Sequence, residues 1–452
     1  MRKLKFNRII SLIIATLLFV STSSLFGCFA GANKGFVEKV SEFEFIVSWF
    51  NDYTQEEFEL VKECGFDMVQ FNPWQTPINQ ERTITAVANA EAVGLPVILH
   101  LKNCGEGNVN GGADGDNELY EIDYSKNDNV KMICMFDEPW YDAIDNIAGW
   151  IDRYEKTFDD KPFYVNLYPE YVAKSQLSGH SWEEYIEYFC EKVLSKLSGE
   201  RWLSYDIYPY LMDDNTQVVK GIEPTWLHSL AVMAENTKKV ENAHLQSHLQ
   251  TCSYNGHREP AEEDIRQQIY VSMAFGVERL SCYTFAVPPG SESIHGSGKI
   301  SMVDSKGNPT HIYHSVKKLI SEVKLFDEIY LQYQYDGFKS YLANESFSSE
   351  NYNASFKRVS NMEIDKLEDI NSVYCTADTI ISQLYNKQGD KAYVVVNYED
   401  PYEKIADNIM LDMGSNKRVT VIRKGVSQSI ELNNGVLSLS LEPGEGVMVI
   451  PE

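Results

Sequence analysis

Cysteine pairs are missing from this chain. Its eight cysteines stand at 28, 64, 104, 134, 190, 252, 282 and 375, and no two form a C-x-x-C pair. A thiolate zinc site needs such close pairs, and a disulfide framework needs a dense, even set, so neither organises this fold. Most of these thiols read as small buried apolar groups. Positive charge is also scarce. Lys plus Arg number 40 against 66 Asp plus Glu, a formal charge of −26. A face that neutralises phosphates cannot be built from that balance, which excludes a nucleic-acid partner. No glycine fingerprint follows the first apolar strand, so no dinucleotide site is expected. His100, His248 and Glu138 lie on different strands, and no H-E-x-x-H helix accompanies them, so no metal or other cofactor is expected.

The start of the chain reads as a leader. Arg2, Lys3, Lys5 and Arg8 precede the apolar run Ile9 to Val20, which is too short and too one-sided for a settled membrane span. Leu25-Phe26-Gly27-Cys28 then resembles the bacterial lipoprotein signal, which implies lipidation at Cys28. Residues 1–27 are expected to be a signal peptide of that type, with a plain secretory signal as the alternative because Phe26 is bulky. The mature chain is expected outside the cell membrane, held only by a lipid, with no obligate protein partner. Residues 28–41 read as a linker.

From Phe43 a strand–helix unit repeats. Apolar strands are expected at Phe43 to Phe50, Phe66 to Phe71, Pro96 to Leu101, Met132 to Phe136, Pro162 to Leu167, Trp202 to Tyr210, His244 to Gln250 and Leu280 to Phe285. Helical spacing is expected at Thr54 to Cys64, Arg82 to Val93, Ile144 to Thr157, Ser181 to Leu197, Pro224 to Val240, Ala261 to Phe275 and Thr310 to Leu325. Alternation of this kind implies a parallel sheet, and eight units imply an α/β fold of the (β/α)₈ TIM-barrel type over residues 42–328. A doubly wound open sheet is the alternative. After about residue 330 the helical spacing is lost. Short strands separated by turn residues imply a C-terminal all-β sandwich over 329–452.

Aromatic residues make up 12% of the chain, with 27 Tyr. In a barrel the strand carboxyl ends share one mouth. Those ends supply Trp49, Asn72, Trp74, His100, Lys102, Trp140, Asn166, Tyr168, Tyr208, Gln246, His248 and Tyr283. Amides and hydroxyls suit sugar hydroxyl groups, and aromatic plates suit the apolar face of a sugar ring. Lys102 reads as a binding group rather than a Schiff-base lysine. The run Asp114-Gly115-Asp116-Asn117-Glu118 lacks the full calcium-loop pattern and reads as a solvated acidic loop.

The fourth strand ends abruptly in Phe136-Asp137-Glu138-Pro139-Trp140. A strand needs no acids there, whereas glycoside cleavage needs a carboxylic acid for the leaving oxygen and usually a second carboxylate. Glu138 is the candidate acid. Asp206, at the end of the sixth strand, and Asp137 are the candidates for the second role. Adjacent Asp-Glu suits cleavage of 2-acetamido sugars, in which the substrate amide is the nucleophile and Asp137 holds it. A helix-capping acid at Glu138 and a loop-binding acid at Asp206 are the plainer alternatives.

The barrel, the Phe136-Asp137-Glu138-Pro139 strand end and the trailing sandwich resemble secreted bacterial glycoside hydrolases. Arg266-Gln267-Gln268 with Met273-Ala274-Phe275-Gly276 resembles the seventh-helix region of such barrels. The retaining β-glycosidase clan carries Asn-Glu-Pro on strand four and a Glu nucleophile on strand seven. Here Asp137 replaces the Asn, and strand seven offers Gln246 and Gln250 but no Glu. That resemblance implies Glu138 as the acid and leaves the clan's nucleophile unmatched. The β-N-acetylgalactosaminidases end strand four in Asp-Glu, which Asp137 and Glu138 match. Both imply a glycosidase; a carbohydrate-binding lipoprotein that has lost catalysis is the rival.

Overall fold

Thr54 shows how the sequence starts a helix here. Its hydroxyl accepts from Glu57 N, and the Glu57 carboxylate accepts from Thr54 N, so two orphan amides are satisfied at once. Helix α1 (Gln55–Cys64) then stops at Gly65, whose φ of +100° suits glycine. Ser181 and Glu184 form the same box at the start of α4 (Trp182–Lys192). The computed structural model describes residues 39–71, 80–100, 124, 126–158, 160–287, 299–343 and 353–452. The leader with Cys28, together with Asn72, Trp74, Lys102 and the 114–118 run, lies outside them, as does the His100 side chain.

Eight parallel strands close a barrel: β1 (Glu44–Ser48), β2 (Met68–Gln70), β3 (Val97–His100), β4 (Val130–Asp137), β5 (Phe163–Leu167), β6 (Arg201–Tyr205), β7 (Ala243–Gln250) and β8 (Arg279–Tyr283). Each pairs with its sequence neighbour, and β8 returns to β1. The outer ring includes α1, α2 (Gln80–Val93), α3 (Ile144–Thr157), α4, α5 (Trp226–Lys239), α6 (Glu262–Ala274) and α7 (His311–Lys324). Strand alternation separates two cores. Ile46, Met68, Ile98, Met132, Cys134, Tyr164 and Trp202 fill the interior, while alternate residues such as Phe45, Val47, Ile133 and Leu203 pack under the helices. The six cysteines among the described residues are free and buried.

One strand departs from expectation. The sixth ends at Tyr205, not Tyr210, and Tyr210–Met212 instead forms a two-stranded ribbon with Val219–Ile222. Tyr210 is drawn off by its partners: its N donates to Gln250 Oε1 and its hydroxyl to Asp264 O.

The barrel floor holds buried charge. Burial pushes the Glu278 carboxyl up, but Lys39 and His244 outweigh it and hold the group below its usual range. The Lys39 and Glu278 side chains are only 10% and 3% exposed. Lys39→Met is therefore expected to destabilise the fold at pH 7 by about 3 kcal/mol, because it takes the lysine cation from a buried carboxylate and leaves it only His244 and the Val40 amide. A lowered folded pKa contributes stability above the ordinary carboxylate range and loses it as pH falls through the folded value. The difference between variant and wild type should thus shrink in acid. Urea unfolding at pH 7 and pH 4 measures this, and a pH-independent difference would contradict it.

Among the described residues, the C-terminal region is all β apart from the helix Ala354–Val359 and a 3₁₀ turn at Pro401–Glu403. Strands β9 (Tyr333–Tyr341), β10 (Ser372–Tyr374), β11 (Thr379–Asn386), β12 (Lys391–Asn397), β13 (Asp407–Asp412), β14 (Arg418–Arg423), β15 (Val426–Glu431), β16 (Val436–Leu441) and β17 (Gly446–Pro451) make two antiparallel sheets. Their orders are β9-β11-β12-β17-β14-β15 and β10-β13-β16. Ile381, Tyr393 and Val449 of the first meet Leu411 and Leu437 of the second in one apolar core, so the sheets form a sandwich. β9 and β10 were not read from the sequence. Helix α6 joins barrel to sandwich: Gln267 Nε2 donates to the Asn397 and Glu399 carbonyls, and Arg258 pairs with Asp264 and Asp400. Gly446 is required there, since a Cβ would meet the Tyr270 ring at 2.5 Å.

Candidate active site

A one-residue bulge aims the site. β4 and β5 pair Cys134 with Tyr164, then slip, so that Phe136 pairs with Val165 and Asp137 with Asn166. In an unbroken strand Phe136 would share the inner face with Cys134. The bulge inverts the alternation beyond it. Phe136 joins the outer core, and Asp137 takes the inner face beside Asn166. Glu138 follows with φ +52°, and its N–H donates to Asn166 O at 2.7 Å. Trp49, at the end of β1, has φ +65°. Such backbone is disfavoured by about 1–2 kcal/mol for a residue with a Cβ, and it concentrates at functional sites.

Asn166 ties two acids together. Its Nδ2 donates to Asp137 Oδ1 at 3.1 Å and to Asp206 Oδ1 at 3.2 Å. The Ser204 hydroxyl donates to Asn166 Oδ1, and Gln246 Nε2 donates to Ser204 Oγ, each at 3.1 Å. Asp206 keeps a little surface in the mouth but is otherwise walled by protein. That burial pushes its carboxyl up to about 6, against the opposing hydrogen bonds from Asn166 and Tyr208. His248 donates from Nδ1 to Tyr205 O at 2.9 Å, the only sense possible with a carbonyl, which leaves Nε2 as acceptor in the neutral ring. Burial lowers its pKa, partly offset by that carbonyl and by the Asp137 charge.

Aromatic rings wall this mouth. Tyr208 and Tyr283 lie 4.9 Å apart between centroids, and Trp49 meets Tyr283 edge-on. The Tyr283–Thr284 peptide is cis. Tyr254 packs edge-on against Tyr208 and stacks on His257 at 4.0 Å. Tyr171 stands half exposed on the rim, near Asp206, Glu138, Glu223 and Tyr254. Tyr171, Tyr254 and His257 were not among the sequence candidates. They lie in loops beyond strands β5 and β7, where no strand period marks them.

The remaining candidates divide. Asp137, Glu138, Asp206, Asn166, His248, Tyr208, Tyr283 and Trp49 come together at the carboxyl ends of the strands. Gln246 has no exposed surface and sits as support beneath Asn166. Tyr168 is buried, its hydroxyl accepting from Gln176 Nε2. Trp140 stands at 48% exposure on the rim. Away from the mouth, Glu170, Glu183 and His228 have metal-like spacing, but Arg358 at 3.1 Å from Glu170 already supplies the positive charge.

No protein-family profile matches the chain, and no curated protein does. Solved structures do match. A catalytic mutant of a GH42 beta-galactosidase from G. stearothermophilus aligns with TM-score 0.54 at 9% identity, over 91% of this chain and 98% of that one. A Bacteroides fragilis protein described as an alpha-galactosidase aligns with TM-score 0.50 at 9% identity, over 92% of this chain and 80% of that one. Identities this low carry the fold alone. The chain thus has the closed (β/α)₈ barrel and trailing β-sheets of these glycosidase structures.

Proposed function

We propose that the chain is a glycoside hydrolase that cleaves O-glycosidic bonds of oligo- or polysaccharides by carboxylic acid catalysis. The observation that carries this reading is the Asp137–Asn166–Asp206 bridge beside Glu138, on the barrel face that hosts chemistry. Glu138 protonates the leaving oxygen. The second role falls to Asp206, or to a substrate acetamide oriented by Asp137. Two oxygens that share one donor can be no farther apart than the sum of its 3.1 and 3.2 Å bonds. The shared amide therefore holds Asp137 and Asp206 side by side, next to the acid Glu138. The Tyr171, Tyr208, Tyr254 and Tyr283 rings hold the sugar. The proposed setting is outside the cell membrane with a lipid at Cys28, supported by the leader sequence.

The test is release of aryl alcohol from aryl glycosides with and without a 2-acetamido group. Cleavage confined to acetamido sugars selects the assisted route, and cleavage of plain hexosides selects Asp206. A second reading, a carbohydrate-binding lipoprotein, is favoured by β7, where Gln246 and Gln250 are bonded to the protein and no carboxylate stands. Glycan binding without any cleavage would select it.

A further inference from the structure

The hydrogen bonds beneath the acids run in a single direction. Gln246 Nε2 donates to Ser204 Oγ, Ser204 Oγ donates to Asn166 Oδ1, and Asn166 Nδ2 donates to both Asp137 and Asp206. The relay crosses from β7 through β6 and β5 to β4. Ser204 and Gln246 have no exposed surface, and Asn166 has 5%. A hydroxyl has one proton. Because Gln246 donates to Ser204 Oγ, that proton is left for Asn166 Oδ1. The amide is thereby locked with its NH₂ toward the carboxylates. The flipped amide would turn its oxygen on two acids and leave the Ser204 proton facing an NH₂ that cannot accept it. Neither Ser204 nor Gln246 reaches the mouth.

We propose that Ser204 and Gln246 are positioning residues: they fix the Asn166 amide so that one donor group holds Asp137 and Asp206 in register. This rests on the glycosidase reading for its catalytic consequence, but not for its physical one. The titratable groups around Asp206 are Asp137 at the end of β4 and Glu138 just past it, Tyr205 at the end of β6 and Tyr208 beyond it, Tyr171 in the loop after β5, Tyr185 on α4, Tyr254 in the loop after β7, and Tyr283 on β8. The hydrogen bonds carry a change at Ser204 or Gln246 to Asp206 through Asn166.

The experiment is carboxyl-carbon NMR titration of Asp206 in the full chain, for wild type, Ser204→Ala, Gln246→Met and the double variant, beside the pH profile of glycoside cleavage. A loosened amide stabilises the carboxylate less. The Asp206 midpoint in Ser204→Ala should therefore rise, on the order of half a pH unit, as part of a charge-assisted hydrogen bond is lost. The low-pH limb of kcat should move with it while KM stays. Because Gln246 acts through Ser204, the double variant should titrate like Ser204→Ala alone. An unmoved Asp206 midpoint in folded Ser204→Ala overturns the proposal, as do additive shifts. A shifted midpoint in a protein that cleaves no glycoside supports the relay and overturns only the glycosidase reading. If Ser204→Ala does not fold, Gln246→Met, which keeps the hydroxyl, is expected to show the smaller shift, and no shift there overturns the relay.

Discussion

Glu138→Gln is expected to lower kcat/KM on oligosaccharides by about 10²–10⁴-fold, the usual contribution of a positioned general acid. The substitution keeps the side chain's shape and removes only the transferable proton. Glu138 sits at positive φ just past the bulged end of β4, and Gln tolerates that backbone as Glu does. Sugar affinity should therefore persist. The loss depends on the leaving group. An alkoxide needs a proton, whereas a dinitrophenolate does not, so dinitrophenyl glycosides should lose less than about tenfold. Steady-state kinetics on both substrate classes measures this. Equal losses on the two would mean that Glu138 is not the acid, and unchanged rates would remove it from the site.

The barrel was legible because its signals are local. Caps such as Thr54/Glu57 and Ser181/Glu184, the stop at Gly65 and apolar runs of strand length each mark an element without knowledge of its neighbours. Helix Ile144–Thr157 begins and ends where the spacing put it. The Asp137–Glu138 strand end was legible for the opposite reason: nothing local explains it. What stayed hidden is non-local. The β4 bulge is a register shift against β5, so the sequence does not say that Asp137 rather than Phe136 faces inward. β6 ends early because Tyr210 is held by Gln250 and Asp264, 40 or more residues away. Gln246 was read as a sugar ligand because β7 alternates correctly, but alternation tells face and not depth. Tyr171, Tyr254 and His257 meet only through loop geometry.

Asp206→Asn is expected to trade activity for stability. Burial raises the folded pKa of Asp206 to about 6, above the ordinary carboxylate value. The folded chain therefore binds this proton more tightly than the unfolded chain. Its contribution to stability is fully present below about pH 4, the ordinary value for Asp, and is lost as pH rises through the folded value. Above that window the charged carboxylate weighs against the fold by roughly 3 kcal/mol, the free energy of a shift of about two units. The amide substitute carries no charge and keeps an oxygen to accept from Asn166. The variant should match wild type near pH 4 and exceed it in thermal midpoint, by a few degrees, near pH 8. A gain of equal size at both pH values would mean that packing, not charge, is responsible. The same variant separates the two routes. If Asp206 supplies the second carboxylate, cleavage should fall by about 10³-fold or more, because a neutral amide can be neither nucleophile nor base. If the substrate's acetamide attacks and Asp137 orients it, cleavage of acetamido sugars should survive within about tenfold, because Asp206 then only shares the Asn166 donor.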